Sequence, residues 1–364
     1  MKHGIIRLGC GLDISKDKFH TCFGVMLSDG TFVIKGTKSF NNTPSGISAF
    51  IEWLNKHHKK YSKAEDLPFQ IVMETTGVYH ELICSHLHNA SMPVCLEVAS
   101  RVKKYLQSVG QYSKTDKEDA RGICRMACER KMKRWQPFSS KIIKIRTALR
   151  HRKSLIETRN GLTNRLHAMS HSVNGNKEVV ASIKRMIKLL DKEIKKAEEL
   201  VNLLYEADTE LSQRLNPIIE SIKGLGRITA LTIVAETNGF EQIRNAKQLT
   251  SYAGYDIIEN QSGTSSRPTR ISKRGNARIR SELYMCALTM GRYKDGPFTD
   301  FFTRIRKRNP RIYKVANVAV QRKLLILIYT LFKSSARYDP NHNATCTNKS
   351  SSEQSPELHE IAVA

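Results

Sequence analysis

Acidic residues are scarce in this chain. Its 364 residues include 34 Asp and Glu against 60 Lys and Arg, which gives a formal net charge of +26. An excess of this size favours a polyanionic partner, because Lys and Arg neutralise phosphates and release their counterions. Hydrophobic residues make up 40% of the chain and aromatic residues 7%, which is ordinary for a soluble globular protein. The composition therefore indicates a folded protein that binds nucleic acid or another polyanionic surface.

Long apolar runs are missing as well. No stretch approaches the roughly 18 consecutive apolar residues that a membrane span requires. The N-terminal segment MKHGIIRLGCGLD has too short an apolar stretch for a secretory signal. We therefore expect a cytoplasmic protein with no membrane partner.

Cysteine pairs at metal-ligand spacing are also absent. None of the eight cysteines forms a CxxC pair, and their spacing shows neither a disulfide framework nor a zinc knuckle. Cys124 and Cys128 are four residues apart on a predicted helix, and we expect both to be reduced and buried or half-buried.

Residues 1–138 have the pattern of an α/β domain. Strand-like segments fill residues 4–38, and Asp29-Gly30 between two apolar runs indicates a hairpin. Helices are predicted over 45–60, 80–90 and 116–134, and further strands over 69–75 and 93–100. A strand meander followed by alternating strands and helices favours an α/β fold.

Residues 139–210 have a helical heptad pattern. Apolar residues step by four and three from Ile183 to Leu204, and a looser seam runs from Ile142 to Val173. The segment Asn174-Gly175-Asn176 separates the two seams and should end the first helix. This pattern predicts two long helices, either as an antiparallel hairpin or as part of a dimeric coiled coil; an ordinary bundle layer is the alternative.

Residues 211–336 are predicted to form a mostly helical C-terminal domain. Gly224-Leu225-Gly226 before an apolar helix is typical of a helix-hairpin-helix turn, whose amides can face phosphate, although a plain tight turn has the same pattern. Residues 267–337 contain 18 Lys and Arg against 3 Asp and Glu. The polar tail, residues 337–364, is predicted to be disordered.

Four acids could form one metal site. Asp13 and Glu74 end two predicted strands, and Asp116 and Asp119 are spaced i, i+3 at the start of a helix. Carboxylate oxygens suit hard divalent cations, and two such ions can clamp the attacking and leaving oxygens of a phosphodiester. Each acid by itself could instead cap a helix or a turn.

The sequence resembles a known family at these acids. GLDISKDKFH, METTGVYH and SKTDKEDA are similar to the Asp-Glu-Asp-Asp motifs of the IS110/IS1111-type transposases. IKGLGRITALTIVAET, SYAGYD and QSGTSSRPTRISKRGNARIR resemble that family's second domain. The resemblance extends from about residue 8 to residue 335. It implies a RuvC-like, ribonuclease-H-type N-terminal fold and a DNA recombinase of an insertion sequence, assembled as a homodimer or homotetramer in the bacterial or archaeal nucleoid.

The resemblance also implies a chemistry. Asp13, Glu74, Asp116 and Asp119 would hold one or two Mg²⁺ ions, and Ser262 would attack the scissile phosphate to form a phosphoserine link. Ser265 and Ser266 are close enough in sequence to leave the identity of the nucleophile open. Some members of the family use a structured RNA encoded by their own element to choose DNA sites, so a guide RNA is a further partner to consider.

Basic residues near the acidic motifs of the first domain and near the serine motif of the second are predicted to contact DNA phosphates. They are Arg101, Lys103, Lys104, Lys114, Arg267, Arg270, Lys273, Arg274, Arg278 and Arg280. Tyr105 and Tyr112 lie among the first of them and could contact the DNA backbone or stack on bases, with a core position as the alternative for Tyr105.

Two other functions fit the same residues. A RuvC-like hydrolytic junction endonuclease would use water as its nucleophile, and a non-catalytic nucleic-acid scaffold would use the acids only for structure.

Overall fold

Our computed structural model describes residues 4–62, 66–75, 77–112, 115–173, 175–262, 265–292, 298–308 and 313–340, with the backbone alone for 260–262 and 265–268. The chain divides into two units, Met1–Pro137 and Phe138–Ala364. The first is mixed α/β and the second is mostly helical, as predicted. Most of the predicted disordered tail, from residue 341 onward, lies outside the described residues.

A five-stranded sheet is the centre of the first unit, with strand order β3-β2-β1-β4-β5. The first three strands form the predicted antiparallel meander, and Gly30 takes the left-handed conformation (φ +83°) that its hairpin turn requires. The last two strands join β1 in parallel. The strands are β1 (Ile5–Ile14), β2 (Lys18–Leu27), β3 (Phe32–Asn41), β4 (Phe69–Glu74) and β5 (Val94–Glu97).

Helices cover both faces of this sheet. They are α1 (Pro44–Ser62), α2 (His80–Asn89), α3 (Ala99–Ser108) and α4 (Asp116–Glu129). Alternate residues of β1 divide between the faces: Leu8 and Leu12 pack with α1 and α2, whereas Gly9 and Gly11 lie under α4. The α3 helix was not predicted from the sequence, and α4 ends five residues before its predicted end at residue 134. The Gln70 side-chain amide donates to the carbonyls of Ala127 and Arg130, which holds the chain where α4 ends.

Two glycines of β1 let α4 pack directly on the strand backbone. A Cβ at Gly11 would collide with the backbone of Ala120 and Cys124, and a Cβ at Gly9 would lie 2.7 Å from the sulfur of Cys128. Glycine at these positions removes the side chains that would otherwise separate a helix from a sheet. The contacts also show that α4 runs antiparallel to β1, which brings the start of α4 to the carboxyl end of the strand.

Two long helices, α5 (Ser140–Ser170) and α6 (Lys177–Glu206), begin the second unit. They pair as an antiparallel hairpin within one chain, since ion pairs join Arg152 to Glu198 (2.7 Å) and Arg159 to Asp191 (3.3 Å) across it. The α6 seam is buried or half-buried throughout, as predicted. The last residue of the looser seam, Val173, is fully exposed, so its assignment to the seam was wrong. A coiled coil between chains stays a prediction.

The rest of the second unit packs around one helical core. Its elements are α7 (Thr209–Ser221), α8 (Arg227–Glu236), α9 (Ala246–Ala253), β6 (Ile257–Ser262), β7 (Ser265–Ile271), α10 (Ala277–Met290), α11 (Thr299–Arg308) and α12 (Tyr313–Ser334). The Gly224–Gly226 turn joins α7 to α8 as the sequence predicts, and Leu225 is buried in it.

One described helix, α12, is long and apolar enough to cross a membrane. The sequence contains no continuous apolar run at this helix, because polar residues interrupt its apolar stretches, so the helix was not singled out in the sequence. Half of its most apolar window is buried, and its buried Gln321 bonds to Asn317 and Tyr255. These features are those of a core helix of the second unit.

The seven described cysteines are free and buried, including Cys124 and Cys128, which confirms that prediction. Burial raises the pKa of the Cys84 thiol to about 12. The eighth cysteine, Cys346, lies outside the described residues.

Candidate active site

A row of polar residues crosses the whole sheet of the first unit at one end. Asp13 on β1 pairs with His20 on β2, and His20 pairs with Ser39 on β3. On the other side of β1, Leu12 pairs with Met73 of β4, so the next residues of the two strands, Asp13 and Glu74, lie beside each other. Glu74 pairs in turn with Glu97 on β5. Residues paired across a sheet point to the same face. The alternation along β1 assigns this row to the face that α4 covers.

The start of α4 brings two further acids to this row. Thr115 caps the helix by accepting a hydrogen bond from the amide of Glu118. Asp116 lies 3.6 Å from the imidazole of His20, measured from Oδ2 to Nε2, and is 61% exposed. Asp119 is half-buried and accepts a hydrogen bond of 3.4 Å from the Gln111 amide. The four predicted acids are therefore divided between the sheet edge and the first turn of the helix that packs on it.

The carboxylates of this region are of the kind that bind a divalent cation. Hard cations such as Mg²⁺ prefer carboxylate oxygens, and the four predicted acids of the row and the helix supply such groups. In the described part of the chain, however, no three His, Cys, Asp or Glu side chains lie close enough together to hold a metal ion. Asp13, Glu74 and Asp119 each already interact with another group. The acids fit a cation by chemistry and by placement, and holding one would require their side chains to turn toward each other.

Several residues of this region, among them Glu97 of the row, were not singled out in the sequence. His20 and Ser39 form a hydrogen bond of 2.7 Å within the row, and the hairpin register of β1 and β2 could have placed His20 opposite Asp13. Glu118 is half-buried, and its Oε2 atom is buried with no hydrogen-bond partner among the described residues. A carboxylate oxygen in that state favours a cation nearby.

The basic residues predicted in this unit lie mainly on α3. Arg101, Lys103 and Lys104 are exposed, and Arg101 also contacts Glu97 at 3.4 Å. Tyr105 is buried, and its hydroxyl donates to Glu129 at 2.8 Å, so of its predicted roles the core position is the one confirmed. Tyr112 is 81% exposed and keeps that role as a prediction. Lys114 lies outside the described residues.

The predicted nucleophile lies in the antiparallel strand pair of the second unit, β6 and β7. Ser262 ends β6 and pairs with Ser265 at the start of β7, and Ser266 pairs with Gln261. The three candidate serines are therefore neighbours in one ladder. Residues 263–264 and the side chains of the serines lie outside the described part of the chain, as does the side chain of Arg267.

Basic residues follow this hairpin in the chain. Arg270, Lys273, Arg274 and Arg278 are exposed, and Lys273 takes a left-handed backbone conformation (φ +54°). Arg280 is half-buried, and its guanidinium donates to the carbonyl of Ala253 at 2.7 Å, which gives that side chain a structural contact.

Two family models match this chain. The DEDD-type IS110 model, described as "Transposase", matches residues 10–173. A model described as "Transposase IS116/IS110/IS902 family" matches residues 216–303. The chain belongs to the IS110 family of transposases. The four acids lie within the first match and the hairpin serines within the second. Membership implies an enzyme that acts on DNA and, for the DEDD acids in general, dependence on a divalent metal ion.

Similar curated proteins agree with this membership. The transposase is 27% identical over 340 residues to the pilin gene-inverting protein of Moraxella bovis, covering 90% of this chain and 97% of that one. It is 25% identical over 236 residues to the transposase for insertion sequence element IS1111A of Coxiella burnetii, covering 58% and 63%. Among solved structures, Thermus thermophilus RuvC matches 32% of this chain and 91% of its own, with 11% identity. The TM-score of that match is 0.25.

A buried ion pair holds the basic loop of the transposase in place. Glu236, at the end of α8, is 3% exposed and accepts two hydrogen bonds of 2.8 Å from Arg150. It also accepts one from the amide of Asn276, the residue that caps α10 directly after the Lys273–Gly275 loop. Burial alone raises the pKa of Glu236, but the hydrogen bonds from Arg150 and Asn276 outweigh it and hold that pKa below its ordinary value.

Replacing Glu236 by Gln should destabilise the second unit by about 2–3 kcal/mol, because the half-exposed Arg150 would lose its buried partner. Urea unfolding at pH 7 measures this. Since the folded-state pKa is lowered, the contribution is present above the ordinary pKa of 4.5 and is lost as the pH falls below it. The difference between variant and wild type should therefore shrink below that pH.

The matched control is Glu220→Gln, which removes an exposed ion pair with Arg337 (3.1 Å) in the same unit. Its cost should stay below about 0.5 kcal/mol. Equal costs for the two variants would contradict a special role for the buried pair.

Proposed function

We propose that this transposase cuts and rejoins DNA at the ends of an insertion sequence, using carboxylate-bound Mg²⁺ and a serine nucleophile. The observation that carries the proposal is the polar row at one end of the sheet, facing the acidic start of α4. The sheet order and the helices on both faces support a RuvC-like, ribonuclease-H-type fold for the first unit.

The acids have the role of metal ligands in this proposal. Asp13 and Glu74 would contribute oxygens from the sheet edge, and Asp116 and Asp119 from α4. One or two bound ions would supply Lewis acidity at the phosphate and offset developing negative charge. His20 positions Asp116, and the hydrogen bond from Gln111 orients Asp119. The orientation of each of these carboxylates is therefore set by a neighbouring side chain as well as by its own rotamer preference.

Ser262 acts as the nucleophile. Its Oγ forms a bond to phosphorus while the bond from phosphorus to the leaving deoxyribose oxygen breaks. The serine gives up its proton, and the leaving oxygen takes one up. Attack of a new strand's hydroxyl on the phosphoserine then reverses the exchange and frees the serine. The number of phosphoester bonds is unchanged throughout, so rejoining requires no further energy source, which suits a recombinase.

Exposed Lys and Arg of both units supply phosphate contacts. Candidates among the described side chains are Arg101, Lys103, Lys104, Arg270, Lys273, Arg274 and Arg278. The proposal also includes a guide RNA encoded by the element and assembly of the chain into a homodimer or homotetramer. The proposed location of the protein is the cytoplasm, in association with the nucleoid. The pilin gene-inverting relative fits this reading, since inverting a gene is a DNA rearrangement.

The proposal is tested by detecting a covalent adduct between the protein and DNA. The full chain is incubated with a supercoiled plasmid that carries the insertion sequence and its flanks, with Mg²⁺ and with or without RNA transcribed from the element's ends. After denaturation in SDS, we expect DNA covalently attached to protein, released by protease and abolished by EDTA. Cleaved DNA with free ends and no adduct would establish the hydrolytic endonuclease instead. A requirement for the RNA, reversed by ribonuclease, would identify it as a partner.

A further inference from the structure

Apolar side chains are exposed at the end of the sheet where the acids of the first unit lie. Val78, Tyr79 and Leu82 are 64%, 43% and 38% exposed, and Val98 is 47% exposed. The first three follow β4 and the fourth follows β5, so all four lie at the carboxyl end of these strands, which is also the end that carries the polar row. We call these four residues the apolar rim. None of them is among the proposed metal ligands.

Hydrogen bonds fix the position of the rim along the sheet edge. The side-chain amide of Asn42 donates to the carbonyl of Tyr79 at 3.0 Å and to the carbonyl of Ser15 at 3.2 Å. Ser15 directly follows β1, the strand that carries the central acid of the polar row. At the start of the same loop, the amide of Thr75 donates to the carbonyl of Glu97 at 2.9 Å. The loop that carries Tyr79 is therefore tied to the carboxyl ends of both β1 and β5.

Helix capping does not account for the apolar character of the rim. Tyr79 and Val98 are the N-cap residues of α2 and α3, and neither side chain forms a capping hydrogen bond. Apolar residues are disfavoured at this position because they leave the first amides of the helix without an acceptor. Five other helices have a capping side chain, from Thr115, Asn176, Asp208, Asn245 and Asn276. A departure from a local rule of this kind is expected mainly at functional positions.

The charges beside the rim indicate the chemistry of its ligand. Helix α3 begins directly after Val98 and carries the exposed Arg101, Lys103 and Lys104. An exposed aromatic ring beside several cations suits a ligand that combines flat apolar rings with an anionic backbone, which is the chemistry of a nucleic-acid strand. In a paired duplex the faces of the bases are stacked on one another, so a base reaches such a ring only after it leaves the stack. The rim therefore favours an unpaired strand over a duplex.

We propose that the apolar rim binds unpaired DNA at the candidate active site, with Tyr79 stacked on one base and Val78 and Val98 beside it. Tyr79 is a binding and positioning residue in this arrangement, since a base held outside the stack leaves the neighbouring phosphate accessible from the sheet edge. The inference rests on the proposed function for the identity of the strand as one that the transposase cleaves. It requires neither the metal ion nor the serine.

Replacing Tyr79 by Ala and by Phe tests the stacking directly. The probes are a fluorescently labelled DNA single strand of mixed sequence and the fully paired duplex of the same sequence, each titrated with the full chain in EDTA so that no cleavage occurs. By fluorescence anisotropy, Tyr79→Ala should weaken the Kd for the single strand by about fivefold or more and change the Kd for the duplex by less than about twofold. Tyr79→Phe should bind both probes like wild type, because stacking uses the ring and not the hydroxyl.

A photochemical cross-link locates the contact. A single strand that contains 5-iododeoxyuridine should, on irradiation with the wild-type chain, form a cross-link that mass spectrometry assigns to Tyr79. Ile34→Ala is the matched control for binding, since Ile34 is a 41% exposed apolar residue of the same unit that pairs with Gly24, away from the carboxyl end of β1. It should leave both Kd values unchanged, and circular dichroism checks that every variant keeps its secondary structure.

Three results would overturn the inference. They are an unchanged Kd of Tyr79→Ala for the single strand, an equal loss of affinity for the single strand and the duplex, and a changed sedimentation coefficient with unchanged DNA binding, which would identify the rim as a protein contact. Failure of the rim to bind the single strand in a chain that still forms the covalent adduct would reject only this inference. Stacking at Tyr79 in a chain that forms no adduct would reject only the proposed chemistry.

Discussion

The Asp13→Asn transposase should bind DNA within about twofold of wild type and cleave it at least about 10³-fold more slowly. The amide has the shape of the carboxylate but not its charge, and Asp13 lies centrally in the polar row, between His20 and Glu74. In the proposed function, removing that charge would take a ligand from the ion that offsets the developing charge on the phosphate. DNA binding would rely on the exposed Lys and Arg, which the substitution leaves intact. Filter binding and single-turnover cleavage of labelled element ends measure the two effects.

Glu52→Gln provides the control for charge alone. Glu52 is an exposed acid of α1, the helix on the opposite face of the sheet, and its loss should change neither binding nor cleavage. Asp119→Asn should reproduce the loss from the α4 side. Cleavage at the wild-type rate by both aspartate variants would reject the metal site and leave the acids with a structural role.

The second large effect is expected at the hairpin of the second unit. Ser262→Ala should abolish the SDS-resistant adduct and slow strand transfer by at least about 10³-fold, because no other group at that position can form the covalent link. Metal-dependent protection of the acids from chemical modification should persist, since Ser262 is not among the proposed ligands.

Ser265→Ala and Ser266→Ala are the matched controls, because both lie in the same ladder as Ser262. If one of these abolishes the adduct and Ser262→Ala does not, the nucleophile has been assigned to the wrong serine. Free cleaved ends from Ser262→Ala at the wild-type rate would show that water is the nucleophile.

Most of the fold could be predicted from the sequence because its signals are local. Asp29-Gly30 identifies a hairpin, and the periodicity around Phe50 and Ile183 identifies helices without information from the rest of the chain. The α3 helix was missed because its buried residues Val102, Tyr105 and Leu106 are separated by charged ones, and the segment looked like an exposed basic strip.

The candidate site was only partly predictable, since its geometry depends on strand register. The acids could be picked out by type and spacing, but the row linking Ser39, His20, Asp13, Glu74 and Glu97 requires knowledge of which residues pair across four ladders. Glu236 was not singled out for the same reason. Its partners Arg150 and Asn276 are 86 and 40 residues away in the sequence, and nothing local marks them as a set.

The glycines at positions 9 and 11 have a consequence for how this site can change over evolutionary time. Since α4 rests on the backbone of β1, the spacing between the strand and the helix is set by main-chain atoms rather than by the sizes of packed side chains. Substitutions in the core on the opposite face, around Leu8 and Leu12, can alter volumes there without moving the helix that carries Asp116 and Asp119. The geometry of the proposed metal site is in this way protected from volume changes in the core, and two positions of β1 admit only glycine as a consequence.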